Sequence, residues 1–493
     1  MHRPEGENKL AKKSIAKNYL YNLTYQILTL ILPLVTTPYV SRVLGAEKIG
    51  IYSYTFSIVS YFVLFGQLGI ALYGKREIAY VQEHKEKRKQ VFWELVFFRL
   101  ITLAVAIAIY WVFFIRTNQY GEYYKIWLIE LIAVAFDISW FFQGLEEFKK
   151  TVTRNILVRT ISVALIFIFV KKQEDLTIYM YIYSVADFIG NLTLWFYLPK
   201  YFRGVKISKI NITHQIKPII LLFIPQVTLK LYNMLDTTML GKMVENKAET
   251  GYYEQSQKVI RLLLTVVTSL GTVMIPRMAN MFANGEKKQI DYYMKRSFSF
   301  VFLLSFPMMF GVISIAKAFT PVFFGKGYEK AAILMSIISP IVLLMGIANV
   351  LGNQYLLPTK RQKEYTISVG AGVIVNFIFN YIFISLWTSI GACIATVLSQ
   401  VVVDYMQFRQ LKNEVNFKSI MKLSNKYLFA SIIMFIACNL TKLIISTGIW
   451  SIVLQVVVGV VVYVAILIKT KDEYLYMLLR KLHDKYVSKF GND

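Results

Sequence analysis

Apolar stretches of about 20 residues alternate with short polar gaps along the whole chain. At about 1.5 Å of rise per residue, roughly 20 apolar residues cross a hydrocarbon core about 30 Å thick. The pattern predicts fourteen such helices, at 16–42, 48–73, 91–115, 123–146, 151–171, 176–199, 217–241, 249–275, 296–317, 330–357, 365–386, 388–409, 425–446 and 449–469. The expected fold class is therefore an all-α polytopic membrane protein with short loops and no extramembrane domain.

The gaps are not equivalent. Thirty-eight of the 55 Lys and Arg residues lie in or beside alternate gaps, against 12 in the intervening ones. Cytoplasmic enrichment of Lys and Arg orients helical membrane proteins, so both termini are expected inside the cell. The net charge of +26 is then mainly a topology signal. A nucleic-acid binder would gather its basic residues on one soluble domain, which this pattern does not contain. Met1 to Lys17 is polar and basic without a cleavage pattern, so the first helix is expected to remain in the mature protein.

The longest basic gaps divide the chain. The expected organisation is an N-terminal six-helix lobe at 1–199, a cytoplasmic linker at 200–216 and a second six-helix lobe at 217–409. A terminal helix pair with a basic tail follows at 410–493. A short repeat supports two pseudo-symmetric lobes. Leu44-Gly45 is followed by Gly50-Ile51-Tyr52, and Leu240-Gly241 by Gly251-Tyr252-Tyr253, with five extra residues in the second gap. Such repeats place a transport path at the interface of the halves. Pro33, Pro38, Pro225, Pro307 and Pro340 fall within predicted helices, where a proline frees a carbonyl and permits a kink.

Candidate chemistry sits at membrane depth, where polar groups are costly and usually face a cavity or a partner. The stretch 217–241 carries Gln226, Lys230, Asn233 and Thr237 on one face, with Asp236 beside them. The next carries Glu254, Lys258 and Arg261 on one face. Lys230 and Arg261 both fall near mid-depth, and two cations there suit an anion. The alternative is internal pairing, of Glu254 with Lys258 and of Lys230 with Asp236 or another acid; Arg261 has no acid within one turn. The first stretch carries Asn18, Asn22, Tyr25, Gln26 and Thr29, and the second answers with Tyr52, Ser53, Ser57 and Ser60. These stripes suit sugar hydroxyls or interhelical hydrogen bonds. Arg99 and Arg159 can join a cavity or pair with Glu130, Asp137 or Asp187, and Asp404 is a further buried charge.

No catalytic motif emerges. His2, His84, His214 and His483 lie in tails or cytoplasmic gaps, and no metal cluster, Ser–His pair or phosphate-cradling loop is present in the sequence. Cys393 and Cys438 lie inside predicted helices as packing residues. The expectation is a transporter rather than an enzyme, with no cofactor and no metal.

Two long segments carry a family resemblance. Asn18 to Phe62 (NYLYNLTYQILTLILPLVTTPYVSRVLGAEKIGIYSYTFSIVSYF) and Leu68 to Ala79 (LGIALYGKREIA) resemble the flippases of lipid-linked polysaccharide repeat units. Those O-antigen and capsule exporters belong to the multidrug/oligosaccharidyl-lipid/polysaccharide superfamily. Leu231 to Met243, Glu249 to Val259 and Ile275 to Met278 fit as well. The resemblance implies two six-helix lobes plus a terminal pair, alternating access, and an undecaprenyl-diphosphate-linked oligosaccharide as cargo in a bacterial cell membrane. It also implies cationic cavity residues, and Arg42, Lys230, Lys258 and Arg261 stand within matching stretches.

On this reading the expected substrate-binding residues are Arg42, Lys230, Lys258, Arg261, Asn22, Gln26, Tyr52 and Asn233, with Asp236 and Glu254 as ion-coupling candidates. Membrane lipid, a polysaccharide polymerase and glycosyltransferases are the expected partners. The rivals are a cation-coupled multidrug exporter, a polymerase or acyltransferase of the same pathway, and a scaffold of the assembly machinery.

Overall fold

The computed structural model describes residues 5–116, 119–204, 210–477 and 480, with side chains for all of these except 5–23, 25–27, 225, 229, 233 and 272. Every regular element among the described residues is helical. Ten stretches are long and apolar enough to cross a membrane by length and composition. Two of them, Leu28–Tyr80 with 53 residues and Gln362–Leu411 with 50, are each long enough for two crossings. The first is interrupted at Gly45 and again at Leu68-Gly69, and the second once, at Thr388. The architecture is that of an all-α polytopic membrane protein and is compatible with fourteen spans.

The chain divides into two compact units, Met1–Met234 and Leu235–Asp493. The first contains α1 (Glu5–Gln67), α2 (Ile70–Tyr80), α3 (Lys85–Tyr110), α4 (Gly121–Ala135), α5 (Ser139–Gly144), α6 (Phe148–Phe169), α7 (Leu176–Trp195) and α8 (Pro199–Phe202). It also takes the first part of α9 (Thr213–Met243), so the division falls inside a helix, downstream of the 200–216 gap. The reason is polar anchoring at the start of α9. Gln215 donates to the buried Glu94 carboxylate of α3 at 2.8 Å, the Asn211 amide donates to the same group at 3.2 Å, and Tyr73 of α2 donates to Gln215. Phe223 then packs edge-on against Phe65.

Within this unit α1 packs on α3, α4 and α6, α4 on α7, and α2 on α5. Phe92, Trp140, Phe141, Phe142 and Phe202 form an aromatic core near the start of α3. Gly45 adopts φ 74° and ψ 169°, a conformation open to glycine and strained for any L side chain. That residue alone turns α1 back on itself. The single helix expected over 123–146 is split, because the Asp137 side chain accepts from the Ser139 amide at 2.9 Å and competes with the helical ladder. Between α6 and α7, the amides of Lys171 and Lys172 donate to Asp175 and hold its carboxyl below the usual range.

The second unit holds the rest of α9, then α10 (Ala248–Ala283), α11 (Lys287–Phe323), α12 (Glu329–Ile338), α13 (Pro340–Ala348), α14 (Gln362–Leu411), α15 (Phe417–Leu440) and α16 (Gly448–Lys469). Here α11 is the central post, packed against α10, α12, α13, α15 and α16. The helix expected over 330–357 breaks where Pro340 opens α13, and it continues as a π-helical turn over Asn349–Leu356. The helix expected to stop at 275 runs on to Ala283.

A tight turn at Thr388 joins the two legs of α14. A Cβ on Gly391 would stand 2.0 Å from the Phe383 carbonyl oxygen, so only glycine lets the legs meet there. Thr388 itself sits at φ 52° and ψ −126°. Its hydroxyl donates to the Glu249 carboxylate at 2.9 Å, beside Ser389 and beside Lys330 at 2.6 Å. This knot ties α10, α12 and the α14 turn together. The outward faces carry large exposed apolar side chains, for example Val456, Val457, Val460 and Val461 on α16, as a lipid-facing surface requires.

Candidate functional site

The second unit contains a buried carboxylate held by neutral groups. Asp236 of α9 is 5% exposed. Its Oδ1 accepts from the side-chain amides of Asn376 at 2.8 Å and Asn380 at 2.6 Å, both on the first leg of α14. Its Oδ2 accepts from the hydroxyls of Tyr253 on α10 at 2.6 Å and Thr396 on the second leg at 2.8 Å. Gln257 donates to the Tyr253 hydroxyl at 2.6 Å. Asn376 and Asn380 are one turn apart, so one face of α14 brings both amides to the same carboxylate. No salt bridge forms at Asp236 among the described residues, which answers the expected alternative of a Lys230 partner. Among the described residues its charge is met by neutral hydrogen-bond donors alone.

Next along α10, Glu254, Lys258 and Arg261 occupy a second face. Arg261 Nη1 stands 3.6 Å from Glu254 Oε1, although two turns separate them. No acid lies within one turn of Arg261, as expected, but two long side chains reach across about 10 Å of helix rise to meet. The expected Glu254–Lys258 salt bridge does not form among the described residues; Lys258 lies half-buried on the turn between. The Arg261 side chain remains 48% exposed and Glu254 15%. The pair is one-sided, leaving nearly half of the Arg261 side chain open.

In the first unit Lys230 is exposed on α9, and Arg42 is exposed on α1. Tyr52 is half-buried among aromatic rings, with centroids 5.0 Å from Tyr179, 5.3 Å from Trp127 and 5.9 Å from Phe56. Asn22, Gln26 and Asn233 lie outside the described side chains. The charges on α4, α6 and α7 pair internally. Arg159 meets Asp187 at 3.5 Å, and Arg154 meets Asp137 at 3.9 Å and Asn191 at 2.9 Å. Arg99, 2% exposed, donates to the Asp137 carbonyl and stacks over Trp140. Of the two readings left open, Arg159 takes the pairing one; Arg99 forms no salt bridge among the described residues, and its Nε and Nη2 are buried there without a hydrogen-bond partner.

Residue types alone hid several members of the Asp236 cluster. Asn376, Asn380 and Thr396 sit 140 to 160 residues away from Asp236 in sequence. The one available signal was two asparagines a turn apart in an otherwise apolar helix, which buried amides do not occupy without partners. No cluster of three or more metal-ligating side chains occurs among the described residues.

The fold is a polytopic helical bundle with exposed cations and a buried carboxylate on its apolar helices. Known proteins share it. The polysaccharide biosynthesis protein family matches residues 15–282, more than half of the chain, and the MatE family matches 218–382. The chain belongs to the polysaccharide biosynthesis protein family. It is similar to the putative O-antigen transporter of Escherichia coli K12, at 24% identity over 407 residues, covering 82% of this chain and 98% of that protein. It is also similar to the lipid II flippase MurJ of Bacillus subtilis 168, at 23% identity over 232 residues, covering 44% and 42% respectively. Two solved structures share the fold. MurJ in an inward closed conformation gives a TM-score of 0.72 at 18% identity, covering 92% of this chain and 99% of that one. An inward-facing multidrug resistance MATE transporter gives 0.60 at 13% identity, covering 80% and 95%. These relatives are named as transporters and flippases.

Proposed function

We propose that this protein flips an undecaprenyl-diphosphate-linked oligosaccharide from the inner to the outer leaflet of a bacterial cell membrane by alternating access. The observation that carries the reading is that each unit leaves a cation exposed along an apolar helix, Lys230 in the first and Arg261 in the second. Bare charge against lipid is costly, so such side chains belong in a wet crevice with an anionic guest. A diphosphate provides that guest, with Arg42 and Lys258 as further cations. Tyr52, with Asn22, Gln26 and Asn233, supplies the surfaces and donors that sugar rings and hydroxyls need. The lipid tail stays in the bilayer. With the cell interior negative, outward movement of an anion is favoured by about 2.3 kcal/mol per charge per 100 mV. Asp236 is the candidate for an ion-coupled step, because it is a buried carboxylate whose described partners are all neutral. Glu254, drawn toward Arg261, is the weaker carrier.

A strain lacking the protein is expected to accumulate the lipid-linked oligosaccharide on the inner face and to lose surface polymer. Arg261→Gln and Lys230→Gln are each expected to lower polymer output at least tenfold at unchanged protein level. Full output from both folded variants removes these cations from the mechanism. The MatE match over α9 to α14 favours one second reading, an ion-coupled exporter of small molecules. Drug sensitivity of the deletion strain with intact polymer selects it.

A further inference from the structure

A second buried carboxylate lies farther along α14. Thr396, Gln400, Asp404 and Gln407 follow one another at spacings of four, four and three, so they share one face of the second leg. Asp404 is 4% exposed and Gln407 is fully buried. Among the described residues the Asp404 carboxylate accepts from the Gln400 amide, at Oδ1 and 3.1 Å. Its Oδ2 has no hydrogen-bond partner among them, and neither has the side-chain oxygen of Gln407 or of Gln354. Gln354 is 1% exposed and stands on the π-helical turn Asn349–Leu356, which packs against α14. Gln407 donates its amide to Ser368 at 3.3 Å, and Gln354 donates to Asn349 at 3.0 Å.

The imbalance has one sign. Three buried oxygens want a donor or a cation, while the amide nitrogens beside them are already used. Leaving buried acceptors unmet costs about 1–3 kcal/mol each, and more for a charged one. Asn380, at Asp236, shows the same signature in its own unpartnered oxygen. The interrupting π turn fits as well, since such turns recur at functional sites.

We propose that Asp404 forms a second station for a small monovalent cation, a proton or sodium, in series with Asp236 along α14. The inference rests on the ion-coupled part of the reading above. Thr396 touches Asp236, and Asp404 lies eight residues on, about 12 Å along the helix. That distance is too long for direct transfer and suits a stepwise path past Gln400. Tyr253 and Cys393 flank the first station, and Tyr365 and Tyr355 lie beside the second leg's far end. There Arg361 holds Glu364 at 3.0 Å and Glu414 at 2.6 Å, and Tyr355 holds Glu414 at 2.9 Å. This charged closure ends the polar seam.

The test uses purified full-length protein in nanodiscs without cargo. Infrared difference spectra are taken between sodium-free and sodium buffers, and separately between alkaline and acid buffers. Wild type is expected to show carboxyl bands from two residues, one lost in Asp236→Asn and the other lost in Asp404→Asn. Asp404→Glu is expected to keep a shifted band. Response to sodium identifies sodium as the occupant, and response to acid alone identifies the proton. Gln407→Leu, which leaves the carboxyl in place, is expected to move the midpoint of the Asp404 band by a factor of ten or more in ion concentration. Loss of a band in Asp236→Asn only, with Asp404→Asn and Gln407→Leu matching wild type, overturns the second station and leaves ion coupling intact. No carboxyl response in wild type overturns both.

Discussion

At the residue scale, two kinds of charge separate. Arg159 and Arg154 are held by local partners that join α6 to α7 and to the Asp137 turn, while Arg99 is buried against the Asp137 carbonyl. Arg261 shares Glu254 yet keeps nearly half its side chain open. An ion pair so exposed is worth about 0–1 kcal/mol. A double-mutant cycle of Glu254→Gln and Arg261→Gln, read by thermal unfolding, is therefore expected to give a coupling below about 1 kcal/mol. A coupling well above that range makes Arg261 a structural residue and weakens its assignment to the cargo. The sequence made Arg261 visible as a mid-helix cation. Its partner was not legible there, because Glu254 lies two turns away, beyond the one-turn spacing at which helical side chains ordinarily meet.

At the element scale, the kinked helices are the informative parts. Gly45 was legible as a turn because a Leu-Gly pair closes an apolar run ahead of polar residues. Thr388 was not legible as the strained residue, since threonine disfavours positive φ and its stabilising partners are remote: Glu249 lies 139 residues away. Lys330 is the cation that balances Glu249. Lys330→Met leaves a buried carboxylate with neutral donors only and is expected to destabilise the protein by about 3 kcal/mol. Thr388→Gly relieves backbone strain of about 1–2 kcal/mol while losing a hydrogen bond of similar worth, so it is expected to be close to neutral. Thermal unfolding of both variants checks the contrast. Equal losses remove the strain argument, and a neutral Lys330→Met removes the ion-pair argument.

At the scale of the whole molecule, the charge pattern carries an orientation. With the basic gaps inside, single cysteines placed at Asn246 or Lys326 are expected to react with a membrane-impermeant maleimide in intact cells. Cysteines at Lys87 or Lys412 are expected to react only after lysis. The background for this test is Cys393→Ala with Cys438→Ala, since both native thiols are buried. Labelling of all four sites in intact cells refutes the assignment of sides. The chain also divides inside α9, so the first and second units share one continuous helix. The polar anchor from Gln215 and Asn211 to Glu94 decides how much of that helix travels with the first unit.

Hydropathy and charge along the chain were enough to dictate helices, spans and the class of solvent, because a bilayer imposes the same demand on every residue at a given depth. That demand is local, so a sequence states it openly. Which carboxylate met an asparagine pair and which arginine met an acid were decided only in three dimensions. Hydrogen bonds and ion pairs act over a few ångströms, and folding alone brings residues 140 positions apart within that reach.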